Sequence, residues 1–123
     1  LTIYVTPREP QTIWVGTATG GVLISKDAGE TWSKIPGGHN GIPDGVPVSA
    51  IAENPKKKGY MYVGTTQTFY MSKDGGKTWT RRGGNLPLGN YASILVNPTD
   101  GDEVYIASAL DVSDGIFYSD NAG

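Results

Sequence analysis

The sequence predicts an all-β protein made of repeated antiparallel sheets, and three observations predict it. Residues 72–79, SKDGGKTW, recur almost unchanged at 25–32 as SKDAGETW, and the motif begins again at 119–123 as SDNAG. The copies start 47 residues apart, from Ser25 to Ser72 and from Ser72 to Ser119. Apolar runs of strand length lie between them, without a long stretch of strong helix formers. Such a period is typical of architectures in which each repeat is one supersecondary unit.

The motif has the residue types that a tight turn between two strands needs. Asp74 precedes Gly76 by two residues, so its carboxylate can accept hydrogen bonds from backbone N–H groups of the turn. Gly76 can adopt positive φ at little cost, and Thr78 is suited to restarting a strand. Trp79 adds a large apolar surface. The structural set predicted over the three copies is Ser25, Asp27, Gly29, Thr31, Trp32, Ser72, Asp74, Gly76, Thr78, Trp79, Ser119 and Gly123.

Four strands are predicted in each of the first two repeats and three in the last. First strands at 1–5, 48–54 and 91–97 each run toward a proline. Second strands are predicted at 13–17, 61–65 and 104–108, and third strands at 22–24, 69–71 and 116–118. Fourth strands are predicted at 31–35 and 78–83, with none in the last repeat. We expect one domain, 1–123, with repeats at about 1–47, 48–90 and 91–123, the last one truncated.

The second and third strands are nearly continuous apolar runs. Because an antiparallel sheet with one solvated face would alternate, these strands are expected to be covered on both faces by neighbouring sheets. Propeller blades stack in this way. The sequence therefore predicts four-stranded β-propeller blades, about two and three-quarter of them, in an incomplete propeller.

The pattern S-x-D-x-G-x-T-W resembles the Asp-box, or BNR repeat, of β-propellers such as sialidases, xyloglucanase-type glycoside hydrolases, sortilin-type receptors and a photosystem assembly factor. The resemblance implies that the motif is a structural element between the third and fourth strands of a blade, so it indicates a fold rather than an activity. The same resemblance favours an extracellular or periplasmic location.

Composition excludes several classes of function. The chain has 10 basic and 12 acidic residues, which argues against a general electrostatic footprint for nucleic acid or an anionic membrane. No apolar segment approaches the roughly 20 residues that a membrane helix needs. The absence of cysteine excludes disulfides and thiolate metal sites, and we expect no metal and no cofactor. The basic runs at 56–58 and 81–82 are interpreted as solvated charges.

Leu1 opens directly into a predicted strand and the third motif stops at Gly123, so we expect the chain to be part of a longer protein or of an assembly. An arc of blades leaves apolar faces uncovered at both ends. We therefore expect either self-association or the remainder of a propeller to cover them.

Chain direction in an up-and-down blade places the motif turn and the first-to-second loop on one rim, and the loops of variable length on the other. Variable loops on a rigid scaffold are common binding sites. The candidate binding residues on that opposite rim are His39, Asn40, Asp44, Asn85, Asn90, Asp111 and Asp114. As the only histidine, His39 gives little support to a multi-histidine metal site or a Ser-His-Asp triad.

Two acidic groups leave alternatives open. Asp111 and Asp114 are either a carboxylate pair for glycoside hydrolysis or an Asp-rich polar turn, and the turn is favoured. Asp100, Asp102 and Glu103 resemble part of a calcium loop, but they lack its full spacing and a hairpin turn explains them.

Two functions fit the sequence. The first is a non-catalytic propeller scaffold that presents loops to a glycan or protein partner. The alternative is a fragment of a propeller glycoside hydrolase, more similar to xyloglucanases than to sialidases, because Arg8, Arg81 and Arg82 lie outside any arginine motif that a sialidase resemblance would imply. No catalytic residue is predicted.

Overall fold

The computed structural model describes residues 2–35, 41–82, 89–108 and 115–121. All the regular elements in these ranges are strands, and they form three antiparallel sheets. Sheet 1 comprises β1–β4, sheet 2 comprises β5–β8, and sheet 3 comprises β9–β11, with every strand next to its neighbour in sequence. The strands are β1 Thr2–Val5, β2 Ile13–Gly16, β3 Val22–Ser25, β4 Ser33–Lys34, β5 Val48–Glu53, β6 Met61–Thr65, β7 Phe69–Ser72, β8 Thr80–Arg82, β9 Tyr91–Val96, β10 Val104–Ser108 and β11 Ile116–Ser119.

The three sheets lie face to face like propeller blades, which confirms the predicted fold class. The first strands of successive sheets are adjacent, β1 beside β5 and β5 beside β9. One apolar cluster, including Trp14, Val63 and Trp79, lies between sheets 1 and 2. A second cluster, including Tyr62 and Phe69, lies between sheets 2 and 3.

Strand β6 shows why the apolar runs are continuous. Its five residues are all buried, and neighbouring side chains point to opposite sheets. Met61 and Val63 belong to the cluster shared with sheet 1, whereas Tyr62 belongs to the cluster shared with sheet 3. In β2 and β10 buried positions are interrupted by more exposed ones, because sheets 1 and 3 each have a described neighbour on one face only.

Close backbone contacts join the sheets. A Cβ on Gly64 would lie 2.5 Å from the Tyr91 carbonyl oxygen, so only glycine allows β9 to approach β6 this closely. Ser49 Oγ donates to the same oxygen at 2.7 Å. At the other end of the interface, Asn54 Nδ2 donates to the Gly101 carbonyl oxygen at 2.8 Å.

The fourth strands are shorter than predicted at their start. Strand propensity predicts Thr31 and Thr78 in strands, but β4 begins at Ser33 and β8 at Thr80. That part of the prediction was wrong because both threonines are held in the turn by the motif aspartates, through hydrogen bonds described below.

No helix in the described ranges is long and apolar enough to cross a membrane.

Candidate functional site

The turn between β7 and β8 is braced by the side chains of Ser72 and Asp74. The Thr78 backbone N–H donates to Asp74 Oδ1 at 2.9 Å, and the Thr78 hydroxyl donates to Asp74 Oδ2. Ser72 Oγ donates to Asp74 Oδ1 at 2.7 Å and accepts from the Gly76 N–H at 2.8 Å. Trp79 Nε1 then donates to the Gly76 carbonyl oxygen at 3.1 Å, which fixes the indole against the turn.

The turn between β3 and β4 repeats this network. Asp27 Oδ1 accepts from the Thr31 N–H and from Ser25 Oγ, both at 2.8 Å, and Ser25 Oγ accepts from the Gly29 N–H at 2.8 Å. Gly29 and Gly76 have φ of 96° and 93°, a conformation that favours glycine. Ala28 also has positive φ, at 59°, where the second copy has Gly75.

The third copy starts the same network with an amide in place of a carboxylate. Ser119 Oγ donates to Asn121 Oδ1 at 2.7 Å, and the Asn121 N–H donates back to Ser119 Oγ at 3.3 Å. Gly123, the last residue of the predicted structural set, lies outside the described residues.

The turn hydrogen bonds stabilise the ionised aspartates. Those from the Thr31 hydroxyl, the Thr31 N–H and Ser25 lower the pKa of Asp27 to about 2. For Asp74, desolvation raises the pKa, but the hydrogen bonds from Thr78 and Ser72 outweigh it and bring the pKa to about 2. Since their oxygens are used by the turn, these carboxylates serve the fold.

The loops form two rims. On the Asp-box rim, the motif turns contact the first-to-second loops, as when the Ala28 N–H donates to the Gln11 carbonyl oxygen at 2.8 Å. On the opposite rim, the fourth-to-first loops contact the second-to-third loops. There the Gly45 N–H donates to the Thr19 carbonyl oxygen at 3.1 Å, and the Gly89 N–H donates to that of Gln67 at 2.8 Å.

Two of the predicted binding residues lie in the described part of the opposite rim. Asp44 is exposed and forms an ion pair with Lys34, Oδ1 to Nζ, at 3.0 Å. Asn90 has a buried Oδ1 atom without a hydrogen-bond partner among the described residues. The other five, His39, Asn40, Asn85, Asp111 and Asp114, lie outside the described residues. Binding by this rim stays a prediction.

A cavity that the sequence analysis missed lies between sheets 1 and 2 on the Asp-box rim. Its volume is about 220 Å³, and its walls include Arg8 and Trp14 from sheet 1 and Glu53 and Asp74 from sheet 2. Arg8 Nε pairs with Glu53 Oε1 at 2.8 Å, and Arg8 Nη2 donates to the Asn54 carbonyl oxygen at 3.2 Å. The sequence does not predict this cavity, because Arg8 and Glu53 belong to different repeats and nothing in the sequence indicates that they pair.

Two buried polar atoms in the walls of this cavity have no hydrogen-bond partner among the described residues: Trp14 Nε1 and Glu53 Oε2. The Glu53 side chain is 7% exposed, and Trp14 is 3% exposed. Desolvation raises the pKa of Glu53 above its ordinary value, and the Arg8 guanidinium offsets this only in part.

The BNR/Asp-box repeat model matches residues 23–34 and 70–81, which are the two complete turns. The chain therefore carries two BNR/Asp-box repeats on sheets with a β-propeller fold. Its Asp-box turns are elements of the fold, whereas its rims are free to carry different functions.

Among curated proteins, this Asp-box chain is similar to xyloglucanases. It is 32% identical to a xyloglucanase of Hypocrea jecorina over 117 residues, which is 94% of this chain. It is 30% identical over 98 residues, or 78% of this chain, to a probable oligoxyloglucan-reducing end-specific xyloglucanase of Neosartorya fischeri. The chain spans about 12% of the length of each relative.

Among solved structures, the chain overlays on the GH74 enzyme of Niastella koreensis with a TM-score of 0.79 and 19% identity, covering 99% of this chain and 21% of that one. It overlays on YCF48 bound to a D1 peptide with a TM-score of 0.68 and 13% identity, covering 91% of this chain and 34% of that one. At these identities the overlays show the fold.

Proposed function

We propose that this chain is a propeller segment of a xyloglucanase-type glycoside hydrolase, with blades that hold carbohydrate-binding loops on the rim opposite the Asp-boxes. The observation that carries the proposal is the 32% identity to a xyloglucanase across 94% of the chain. This favours the glycoside hydrolase interpretation over the non-catalytic scaffold that the sequence analysis placed first.

The geometry of the opposite rim supports this role. Loops from neighbouring elements are joined by backbone hydrogen bonds, including that from the Thr66 N–H to the Pro47 carbonyl oxygen at 3.1 Å. Sheets packed on buried apolar clusters form a rigid base for these loops. Enzymes commonly place binding groups on such loops because the scaffold fixes their positions.

Hydrolysis of xyloglucan oligosaccharides by the full-length protein tests the proposal. We expect new reducing ends to be released from xyloglucan, with little release from unbranched cellulose oligosaccharides as a comparison. Asp111→Asn and Asp114→Asn test whether either predicted loop aspartate serves the reaction, and Asp100→Asn on the Asp-box rim is the matched control.

The results separate the two functional classes. Hydrolysis of xyloglucan by the full-length protein, with the same activity in the Asp100→Asn control, supports a hydrolase. Xyloglucan binding without turnover would overturn the enzyme proposal in favour of a glycan-binding propeller. Binding of a peptide without any carbohydrate binding would instead favour a protein-binding propeller. The overlay on YCF48 bound to a D1 peptide is the reason to include this comparison.

A further inference from the structure

We propose that the cavity between sheets 1 and 2 on the Asp-box rim binds a small sugar acid, a ligand with both hydroxyl groups and a carboxylate. This site is distinct from the opposite rim and does not depend on the proposed hydrolase function. The cavity walls contain unpaired polar atoms, and lysines lie at its margin.

The buried atoms call for a ligand that both donates and accepts hydrogen bonds. Trp14 Nε1 is a donor, Glu53 Oε2 is an acceptor, and both lack a partner among the described residues. Buried polar groups are normally satisfied by protein, water or a ligand, because leaving them unpaired is costly. Hydroxyl groups suit both atoms, since a hydroxyl can accept from an indole N–H and can donate to a carboxylate.

The three lysines around the cavity have no ion-pair partner within the described ranges. They are Lys26 from the first Asp-box turn, Lys58 from the β5–β6 loop and Lys77 from the second Asp-box turn. Their exposed ammonium groups make this margin positive and suit an anionic group.

Each carboxylate of the cavity has a partner for at least one of its oxygens. Asp74 accepts from Thr78 and Ser72, and Glu53 pairs with Arg8. Glu9 Oε2 accepts from the Thr12 hydroxyl at 3.3 Å. The lining carries four cations, the three lysines and Arg8, against three carboxylates, and only Glu53 among these carboxylates forms an ion pair in the described ranges. The lysines are thus the cations without an ion-pair partner there, and a carboxylate on the same molecule as the hydroxyls matches them.

The size of the cavity limits the ligand. The volume of the cavity is about 220 Å³. It is smaller than the roughly 300–1,000 Å³ of pockets that hold drug-sized ligands. A single sugar unit or the end of a chain fits this size better than an oligosaccharide.

Titration of the full-length protein with D-galacturonate, D-galactose and acetate tests the proposal. Tryptophan fluorescence and calorimetry are the two readouts, because Trp14 lies in the cavity wall. We expect saturable galacturonate binding about tenfold tighter than that of galactose or acetate, since only galacturonate offers both sets of contacts. Raising the ionic strength from about 0.01 M to about 0.15 M should weaken it through screening.

Variants locate the binding. The double change Lys58→Gln and Lys77→Gln should weaken galacturonate binding about tenfold, and the charge-matched control Lys34→Gln, on the other rim, should leave it unchanged. Trp14→Phe should abolish the fluorescence change while keeping most of the apolar contact. The proposal is overturned by an absence of saturation, by equal binding of galactose, or by equal effects of the lysine variants and the control.

Discussion

Gly76 lies directly against the ring of Trp14, so the second Asp-box turn meets sheet 1 without room for a methyl group. A Cβ built on Gly76 would lie 2.7 Å from Trp14 Cη2. Gly29, the same position in the first turn, has nearly the same φ but no atom closer than 3.9 Å to its built Cβ. The two glycines thus separate the effect of backbone conformation from that of packing between sheets.

Gly76→Ala is expected to destabilise the protein more than Gly29→Ala. Both substitutions place a side chain at positive φ, which costs about 1–2 kcal/mol. Gly76→Ala adds overpacking against Trp14, which costs about 1–3 kcal/mol more. Urea denaturation of both variants measures the difference in the free energy of unfolding. Equal losses of unfolding free energy in the two variants would show that the interface between sheets 1 and 2 accommodates the added methyl group without strain.

The Asp-box tryptophans should differ in the same way. Trp79 is 5% exposed and packs edge-on against Trp14, with ring centroids 6.3 Å apart, whereas Trp32 is 44% exposed. Both indoles donate to a turn carbonyl oxygen at 3.1 Å, so this contact cancels in the comparison. Trp79→Ala should cost about 3–5 kcal/mol, the range for a buried aromatic side chain.

In the monomer, where its outer face is open to solvent, Trp32→Ala should cost clearly less. Thermal or urea unfolding of the two variants makes the comparison, and iodide quenching of Trp32 fluorescence checks its exposure independently. A loss for Trp32→Ala as large as that for Trp79→Ala would mean that another surface covers Trp32.

The motif aspartates should make stability fall in acid. Their pKa of about 2 in the folded protein lies below the ordinary value of 3.8, so the unfolded chain binds protons first as the pH falls. Their contribution is fully present above about pH 4 and is lost as the pH falls through about 2. Unfolding free energies measured from pH 5 to pH 2 should therefore decline less steeply in a double variant, Asp27→Asn and Asp74→Asn.

A threonine variant tests the cause of this pKa shift. Thr78→Val removes the hydroxyl that donates to Asp74, so the pKa of Asp74 should rise toward its ordinary value. Thr80→Val, in the exposed strand β8, is the matched control and should leave that pKa unchanged. Carboxyl chemical shifts followed through an acid titration report both values.

The periodic parts of the structure could be predicted from sequence. The apolar runs between copies of the turn motif predict where the strands lie. An aspartate followed two residues later by a glycine, as in Asp74 and Gly76, predicts the turn. The start of β8 could not be predicted this way, because Thr78 has a high strand propensity but is held by Asp74. A local hydrogen bond outweighs propensity here.

The cavity was also out of reach of sequence reasoning. Its ion pair joins Arg8 and Glu53, which are brought together only when two sheets stack. Neither residue belongs to the repeated motif, and the spacing of the repeats says nothing about which loop side chains face each other. Loop residues such as Asp44 could be assigned to a rim by chain direction, but its pairing with Lys34 required coordinates.

The faces of sheets 1 and 3 that no other described sheet covers correspond to the two sides of one interface between blades. Tyr105 in β10 occupies the position of Trp14 in β2 and Tyr62 in β6, both of which are covered by the next sheet. Trp32 occupies the position of Trp79, which packs on the preceding sheet. A copy of sheet 1 could therefore pack on sheet 3 as sheet 2 packs on sheet 1.

We expect this 123-residue chain to associate head to tail through these faces at micromolar concentration, because exposed apolar patches of this kind favour association. Ile116, at 76% exposure on the face of Tyr105 and Tyr118, is the position to change. Ile116→Lys should shift the molar mass measured by light scattering toward the monomer, since burying an unpaired charge is costly. Gln67→Lys, in the exposed β6–β7 loop of sheet 2, adds the same charge away from both faces and serves as the control. A well-folded monomer before any substitution would contradict the expectation and show that these faces tolerate water.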